Sequence, residues 1–389
     1  MNTGKYVFAQ IIDFIDYRAF NRCVKRYNGN HRTRDLNCWN QFLHLLFGQI
    51  TGQNSIRMIC LCLKAHKRKH YHLGIKQLVS QTTLTRANEN RDWRIFADFG
   101  NYLINKVRSL YADDNVSNID LDNEIFVLDA TSISVSINLF TWAEGKYSRG
   151  AVKMHTLLNL RGAIPEFIWV TDGKCHDSNA LDLIHFHANA IYLMDKAYID
   201  FEALYRINNA GAFFVSRAKS NMKYQIIEQN FNIDQTTGLR SDKTVLLIVA
   251  KSKKQYPEKL RLVEFYDQIN DELLVFLTNN FEISALEVAL LYQNRWQIEV
   301  FFKWIKQNLV IKKLWGHSIN AVKIHLWIAI IAYLLAAYAK QALKSDYSIY
   351  EIMQILSVSA FDKTSIRELL TEHRQFNQNV KEQLYLFEC

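Results

Sequence analysis

The sequence predicts a mixed α/β core that carries a β-rich insertion, preceded by an all-helical N-terminal domain and followed by a helical C-terminal tail. Three observations lead there. Residues 1–110 show apolar side chains at helical spacing throughout. From residue 124 short apolar runs alternate with turns and helical stretches. Only two prolines occur, Pro165 and Pro257, so long helices run uninterrupted.

The 389 residues suffice for two or three domains, each with its own core. A hydrophobic content of 49% with 22% charged residues excludes a disordered chain. The net charge of +9 is uneven: residues 1–110 hold 18 Lys+Arg against 6 Asp+Glu, and the remainder 29 against 32. A basic front half beside a mildly acidic remainder suits a polyanion-binding module joined to something else. Cys23, Cys38, Cys60, Cys62, Cys175 and Cys389 have no disulfide-framework spacing. Asp13 and Asp16 interrupt the one apolar stretch near the N-terminus, which speaks against a signal peptide. The longest apolar run, Leu326 to Tyr338, falls short of the ~20 residues that span a bilayer, so it reads as a buried helix. A reducing cytosol is the expected compartment.

The expected boundaries are 1–115 for a helical, basic DNA-binding domain, 120–320 for the α/β domain and 321–389 for the helical tail, with the insertion at about 217–283. In the first, Trp39, Leu43, Leu45, Leu46 and Ile50 lie at helical spacing, and Ile56 to Leu63 forms a second apolar stretch. After Gly74, the polar segment Thr82 to Arg91 includes Arg86, Asn88 and Arg91, residue types that meet phosphates and base edges. Helix, turn and polar helix in a basic context suggest a helix-turn-helix.

The α/β domain begins with Glu124 to Asp129, an apolar run ending in an acid. Strands at Val152–Leu160 and Ile164–Val170, joined by Arg161-Gly162, form a hairpin. A helix is expected over His176–Ala188. Ala190 to Asp195 is then a second apolar run ending in an acid, followed by a helix at Asp200–Asn209 and a strand at Ala212–Ser216. Antiparallel strands followed by strands alternating with helices give the order of an RNase H-like α/β core, a mixed five-stranded sheet with helices. Thr244–Ala250, Leu260–Tyr266 and Glu272–Thr278 are the insertion strands. Ser284 with Glu287 makes a capping box that opens a helix running to about Leu309.

The chemistry gathers on three acids. Asp129 and Asp195 each follow an apolar strand, a rigid place from which a carboxylate can hold a metal. Treated as one continuous helix at about 100° per residue, Tyr292, Arg295, Glu299 and Lys306 share a stripe about 60° wide. Ile298, Phe302, Ile305 and Leu309 form the neighbouring apolar stripe, expected to pack on the sheet. An ordinary Arg295–Glu299 pair explains two of the polar residues but not all four. Phosphodiester cleavage needs an activated water and a stabilised leaving oxygen, which two metals about 3.5–4 Å apart supply. Magnesium takes hard oxygen ligands and keeps its own waters, so three carboxylates and a substrate phosphate suffice. Arg295 and Lys306 are placed to grip flanking phosphates, with Lys303 and Trp296 beside them.

The spacing Tyr292-x2-Arg295-x3-Glu299-x6-Lys306 resembles the tyrosine–arginine–glutamate–lysine signature of the insertion-sequence-four family of DDE transposases. Leu128-Asp129-Ala130-Thr131 is similar to that family's first-aspartate block, and Met194 to Asp200 to its second. Lys153-Met154-His155 and His176-Asp177-Ser178 also look like family features. The resemblance covers about residues 120–335, and the helical N-terminal region resembles a domain often fused in front. It implies Asp129, Asp195 and Glu299 as catalytic metal ligands, two Mg2+ ions (Mn2+ may substitute), and double-stranded DNA at transposon ends and target as partner. It further implies a hairpin intermediate, strand transfer, a homodimer in the synaptic complex, DNA contacts by Tyr292, Arg295 and Lys306, and a bacterial, nucleoid-associated protein. The 104 residues from Asp195 to Glu299, against 66 between the aspartates, fit the family's insertion. One departure stands out: relatives often use an insertion Trp to hold a flipped base, and residues 205–285 contain none. Phe276 and Tyr266 remain as stacking aromatics, with Trp296 a further candidate for supporting a distorted end.

The alternatives are another RNase H-like nuclease or resolvase, and a transposase-derived DNA-binding protein without catalysis. Cys60, Cys62, His66 and His70 lack zinc-finger spacing, and the two cysteines are expected in a core. His66 to His72 reads as a phosphate-contacting patch or a solvated loop, and Lys251–Lys254 as a solvated loop. His176 and Asp177 are expected behind the metal ligands rather than among them.

Overall fold

The computed structural model describes residues 4–112, 121–143, 145 and 150–371. The chain forms two compact units: a helical one built from Met1–Ala112, Ser136–Trp142 and Lys303–Cys389, and a sheet unit of Asp113–Val135 and Ala143–Phe302. The partition differs from the expected three regions, because the C-terminal helices join the N-terminal ones in one unit.

The helical unit starts with α1 (Val7–Ile12), α2 (Tyr17–Arg26), α3 (Cys38–Ile50), α4 (Ile56–Ala65), α5 (Gln81–Asn90) and α6 (Arg94–Arg108). Asp16, Asn37, Ser55 and Ser80 each accept backbone N–H groups as N-caps. After the sheet unit the chain returns through α11 (Ile319–Leu343) and α12 (Ile349–Ser359), the latter opened by a Ser348–Glu351 capping box. Among the described residues, α11 is the one helix long and apolar enough to cross a membrane, and 83% of its most apolar window is buried in the fold. It lies against α3 and α6. Gly100 of α6 allows the close approach, since a Cβ there would stand 2.5 Å from the Trp327 ring. The polar end of the tail, with Cys389, lies outside the described residues.

Two neutral histidines hold this unit. The His325 ring accepts the Trp315 N–H at 3.0 Å on Nδ1, donates from Nε2 to the Val310 carbonyl, and stacks on the Trp315 indole. His44 donates to Asn40 O at 2.7 Å. Burial lowers His325 to about 3 and His44 to about 4, from 6.5. Both pKa values are depressed by folding, so the stability they contribute is complete above pH ~6.5 and lost as pH falls toward 4. Calorimetry from pH 7.5 to 4.5 should therefore show the melting temperature falling by several degrees, and His325→Gln should flatten that slope.

The sheet unit is one mixed sheet of nine strands in the order β3-β2-β1-β4-β5-β9-β8-β7-β6. The strands are β1 (Ile125–Val135), β2 (Gly150–Asn159), β3 (Ile164–Asp172), β4 (Ile191–Met194), β5 (Phe213–Arg217), β6 (Tyr224–Asn230), β7 (Leu239–Leu247), β8 (Leu260–Asp267) and β9 (Glu272–Thr278). β1, β2 and β3 pair antiparallel, while β4 and β5 run parallel to β1. This is the RNase H-like order expected from the sequence. The insertion strands do not make a separate sheet: β9 pairs antiparallel with β5 and continues the core edge. α7 (Phe201–Asn209), capped by Asp200, shares a core with Phe126, Leu128, Tyr192, Met194 and Phe214.

Several local expectations change. Residues 176–188 hold only a 3-10 turn, Asp177–Asp182, where Asp, Ser and Asn favour turns over helix. Lys251–Lys254 lie in a short exposed helix, α8 (Ala250–Gln255), rather than a loop. The capping box at Ser284–Glu287 opens α9 (Ala285–Gln293), but the helix ends there. The i→i−3 bonds Arg295 N–H to Tyr292 O and Gln297 N–H to Asn294 O tighten the chain into a turn before α10 (Trp296–Asn308) begins. The single 60° stripe is therefore divided: Tyr292 is on α9, Arg295 in the turn, Glu299 and Lys306 on α10. Ile298, Phe302, Ile305 and Leu309 are all buried, yet Ile305 and Leu309 belong to the helical unit rather than the sheet.

Candidate active site

Strand register brings the two aspartates together. Leu128 of β1 pairs in parallel with Met194 of β4, so Asp129 and Asp195 follow at the same height on strands about 4.8 Å apart. Asp195 ends its strand, whereas β1 continues past Asp129 for six residues paired only with β2. Asp129 thus sits where the parallel neighbour stops, not at a strand end. A firm backbone holds it there, and its own Oδ1 accepts the Ala130 N–H at 2.8 Å.

Arg295 ties the third acid to the first. Its guanidinium reaches Asp129 Oδ2 at 3.4 Å and Glu299 Oε1 at 2.6 Å. Arg295 stands in the turn before α10 and Glu299 in its first turn, four residues on. Arg295 also lies over the Tyr292 ring, which rests on Phe276 at 4.9 Å. Burial is the main influence on Asp129, raising its carboxyl to about 6; Ala130 N–H and Arg295 oppose the shift, while Glu299 and Asp195 add to it. A buried carboxylate whose ionisation is disfavoured is one that a hard cation stabilises.

The donor chemistry fits a divalent cation: three carboxylates, all on the sheet unit, with two set side by side by register. Among the described residues, however, no three acids, histidines or cysteines stand close enough to enclose an ion. Glu299, whose side chain is 57% exposed, is held outward in its pair with Arg295.

Further residues cluster nearby. Lys153 donates to Asp177 Oδ1 at 3.0 Å and to Cys175 O at 2.7 Å. His155, fully buried and lowered by that burial to about 4, binds Thr171 Oγ1 through Nε2 and leaves Nδ1 unpartnered 3.8 Å from Asp177. His176 turns instead to Ser178. The Tyr198 hydroxyl is buried without a partner, and its pKa is raised by burial first and then by the charges of Asp129, Asp177 and Asp195. It escaped the sequence reading, although it stands inside the second-aspartate block.

Other expected site residues separate. Trp296 is 54% exposed beside Arg295, and Lys303 and Arg86 are exposed. Lys306 is half-buried and, like Lys303, belongs to the helical unit. Asn88 and Arg91 are corrections. Asn88 is 1% exposed and accepts from Gln41, and the Arg91 guanidinium donates to Gln41 Oε1 and to the Leu36 carbonyl. Both tie α5 to its own unit, and burial removes them from the DNA-contact set. Phe276 is 1% exposed beneath Tyr292, closed to a stacking base. Tyr266 and Trp296 do share a cleft of about 460 Å³ with Tyr292 and Arg295. Cys60 and Cys62 are half-buried rather than core residues, and burial raises Cys60 to about 11. The His66 ring rests against Phe361 at 4.0 Å, while Lys67 and Arg68 beside it are exposed.

An RNase H-like strand order, with one acid on the first strand, one just past the fourth and a third on a following helix, is the arrangement expected of a phosphodiester-cutting enzyme of the DDE class. Comparison with known proteins narrows this. The family model described as a transposase DDE domain matches residues 120–335, more than half of the chain, and the chain belongs to that family. A second model, a domain of unknown function (DUF4372), matches residues 3–76. Relatives include a putative transposase of Sinorhizobium fredii, 29% identical over 62% of this chain and 67% of its own. A probable insertion-sequence transposase of Geobacillus stearothermophilus is 30% identical, over 57% and 58%. A putative insertion-sequence transposase of Synechocystis is 24% identical over 81% and 87%. Among solved structures, a piggyBac transposase synaptic complex with hairpin DNA has a TM-score of 0.46 and 11% identity, covering 94% of this chain and 82% of that one. The protein is thus a DNA-cleaving transposase, and it depends on a divalent metal.

Proposed function

We propose that the chain is the transposase of an insertion sequence, binding that element's terminal inverted repeats and moving it by a cut-and-paste route with hairpin ends. Asp129, Asp195 and Glu299 hold two Mg2+ ions, which supply an activated water and a stabilised leaving oxygen. Tyr292, Arg295 and Lys306 hold the strand next to the cut, joined by Trp296 and Lys303, while exposed Arg86 contacts end DNA from the helical unit. Two copies act together, because two ends must be held in one complex. The observation that supports this reading best is the register of Leu128 with Met194, which sets two acids of the expected triad beside each other, with Arg295 linking in the third.

Product analysis tests it. End DNA bearing the inverted repeat that brackets the gene is incubated with protein and Mg2+, and products are resolved on denaturing gels. Hairpin-capped ends and strand-transfer products are the expected result. Simple nicks without either product would place the protein with the nucleases that only cut.

A further inference from the structure

Three buried polar groups without a hydrogen-bond partner gather near the two aspartates: His155 Nδ1, the Thr156 hydroxyl and the Tyr198 hydroxyl. Buried polar groups left idle are rare and costly, so each asks for a reason.

Strand register separates the three. Leu128 of β1 pairs with Leu157 of β2, and Ala130 with His155, which puts His155 on the face that packs against α7. Tyr198 belongs to that same core. Asp129 pairs with Thr156, and both therefore lie on the other face. Side chains directly opposite in an antiparallel pair have Cβ atoms about 4.5–5.5 Å apart, within reach of one hydrogen bond. Thr156 is thus the idle hydroxyl that shares a face with Asp129. We propose that Thr156 is a positioning residue for the metal site, its hydroxyl donating to the Asp129 carboxylate when Arg295 leaves it.

The present contacts of Asp129 show why such a donor is needed. Oδ1 accepts the Ala130 N–H at 2.8 Å, a firm bond from the adjacent backbone. Oδ2 has only the Arg295 guanidinium at 3.4 Å, a long contact from a group whose charge competes with a bound cation. When that contact breaks, one remaining bond fixes one oxygen and leaves the carboxylate free to turn about its Cβ–Cγ bond. A second donor fixes the plane, and with it the direction in which the carboxylate meets a cation.

Thr156 is suited to supply it. It is fully buried in the middle of β2, between Asp129 of β1 and Ile168 of β3, so its backbone is held on both sides and bulk water does not compete for the hydroxyl. Turning about χ1 moves the hydroxyl between staggered positions without moving the strand. Ionised carboxylates accept and do not donate, so the hydroxyl proton has an obvious taker. The methyl group, by contrast, contributes through packing alone. Stability and metal binding therefore depend on different halves of one side chain. This inference rests on Asp129 as a metal ligand, and its test requires no cleavage.

Mn2+ binding to the full chain without DNA is followed by electron paramagnetic resonance, and melting by calorimetry with chelator present, both at pH 7.5. Thr156→Val should bind Mn2+ roughly tenfold or more weakly, as for loss of a partner that orients a metal ligand. It should also melt about 2–4 °C higher, because an idle buried hydroxyl gives way to a methyl of the same shape. Thr156→Ser should do the reverse. Its Mn2+ affinity should stay within about threefold of wild type, since the hydroxyl remains. Its melting temperature should fall, since the lost methyl leaves a gap. Unchanged Mn2+ affinity in Thr156→Val would overturn the proposal, as would equal losses of affinity in both variants. A lower melting temperature for Thr156→Val would make the hydroxyl an ordinary core contact and overturn it too. A wild-type protein that takes up no Mn2+ would overturn the metal set and this role with it, whereas absence of hairpin products would count against the proposed function alone.

Discussion

Asp129→Asn is expected to make the DNA-free protein more stable at pH 7.5 while reducing metal-dependent cleavage about 10³-fold or more. The stability half follows from burial. The folded protein holds the Asp129 carboxyl at about 6, against 3.8 in the unfolded chain. Between those values the folded state binds the extra proton, so stability falls as pH rises through the window. Above pH 6 the full cost of ionising the group is present, up to about 3 kcal/mol at 1.36 kcal/mol per pH unit. Asparagine keeps the shape without the charge and removes that cost, so its advantage should be clear at pH 7.5 and gone at pH 4. The catalytic half follows from the chemistry, since a metal ligand is worth several kcal/mol of transition-state stabilisation and 1.36 kcal/mol is tenfold in rate. Melting curves at the two pH values and cleavage of end DNA in Mg2+ check both halves. Cleavage within tenfold of wild type would remove Asp129 from the catalytic set. A lower melting temperature at pH 7.5 would mean that its pairing with Arg295 outweighs the cost of burial.

That trade of stability for function was partly legible in the sequence. An apolar strand delivering an acid can be read from Ile125 to Asp129 and from Ile191 to Asp195, because a strand buried on both faces leaves a continuous hydrophobic run. β9 was legible to the residue, and α7 through its Asp200 cap. β6 was not, because an exposed edge strand with Gln225, Glu228 and Gln229 carries no apolar alternation. The break at Asn294–Arg295 was hidden for another reason: it contains neither glycine nor proline, and only the shift to i→i−3 bonding reveals it. Asn88 and Arg91 looked like DNA contacts by type. Their partners, Gln41 and Leu36, stand about fifty residues away in sequence (47 to 55), beyond what a local pattern can report. Leu326 to Tyr338 is apolar on every side, which says that it is buried but not by what.

The break in the helix also decides what Arg295 does before DNA arrives, and the second large effect concerns that side chain. Its guanidinium stands between Asp129 and Glu299, at 3.4 and 2.6 Å, where two carboxylates would otherwise be free to share a cation. The charges compete: an ion drawn to those oxygens must displace the arginine, and a DNA phosphate is the partner that can take it. Arg295→Ala is therefore expected to move two measurements in opposite directions. Without DNA, affinity for Mn2+, followed by its electron paramagnetic resonance signal, should rise about tenfold, because no fixed cation remains to be expelled. Cleavage of end DNA should fall by roughly 10²-fold, as expected for loss of a charge-assisted hydrogen bond to phosphate and of a positioned strand. Arg295→Lys should recover part of the cleavage but not the two-pronged grip on both acids. If Mn2+ affinity falls with the alanine variant, Arg295 supports the metal site rather than guarding it. In that case metal and DNA do not compete for the same two carboxylates.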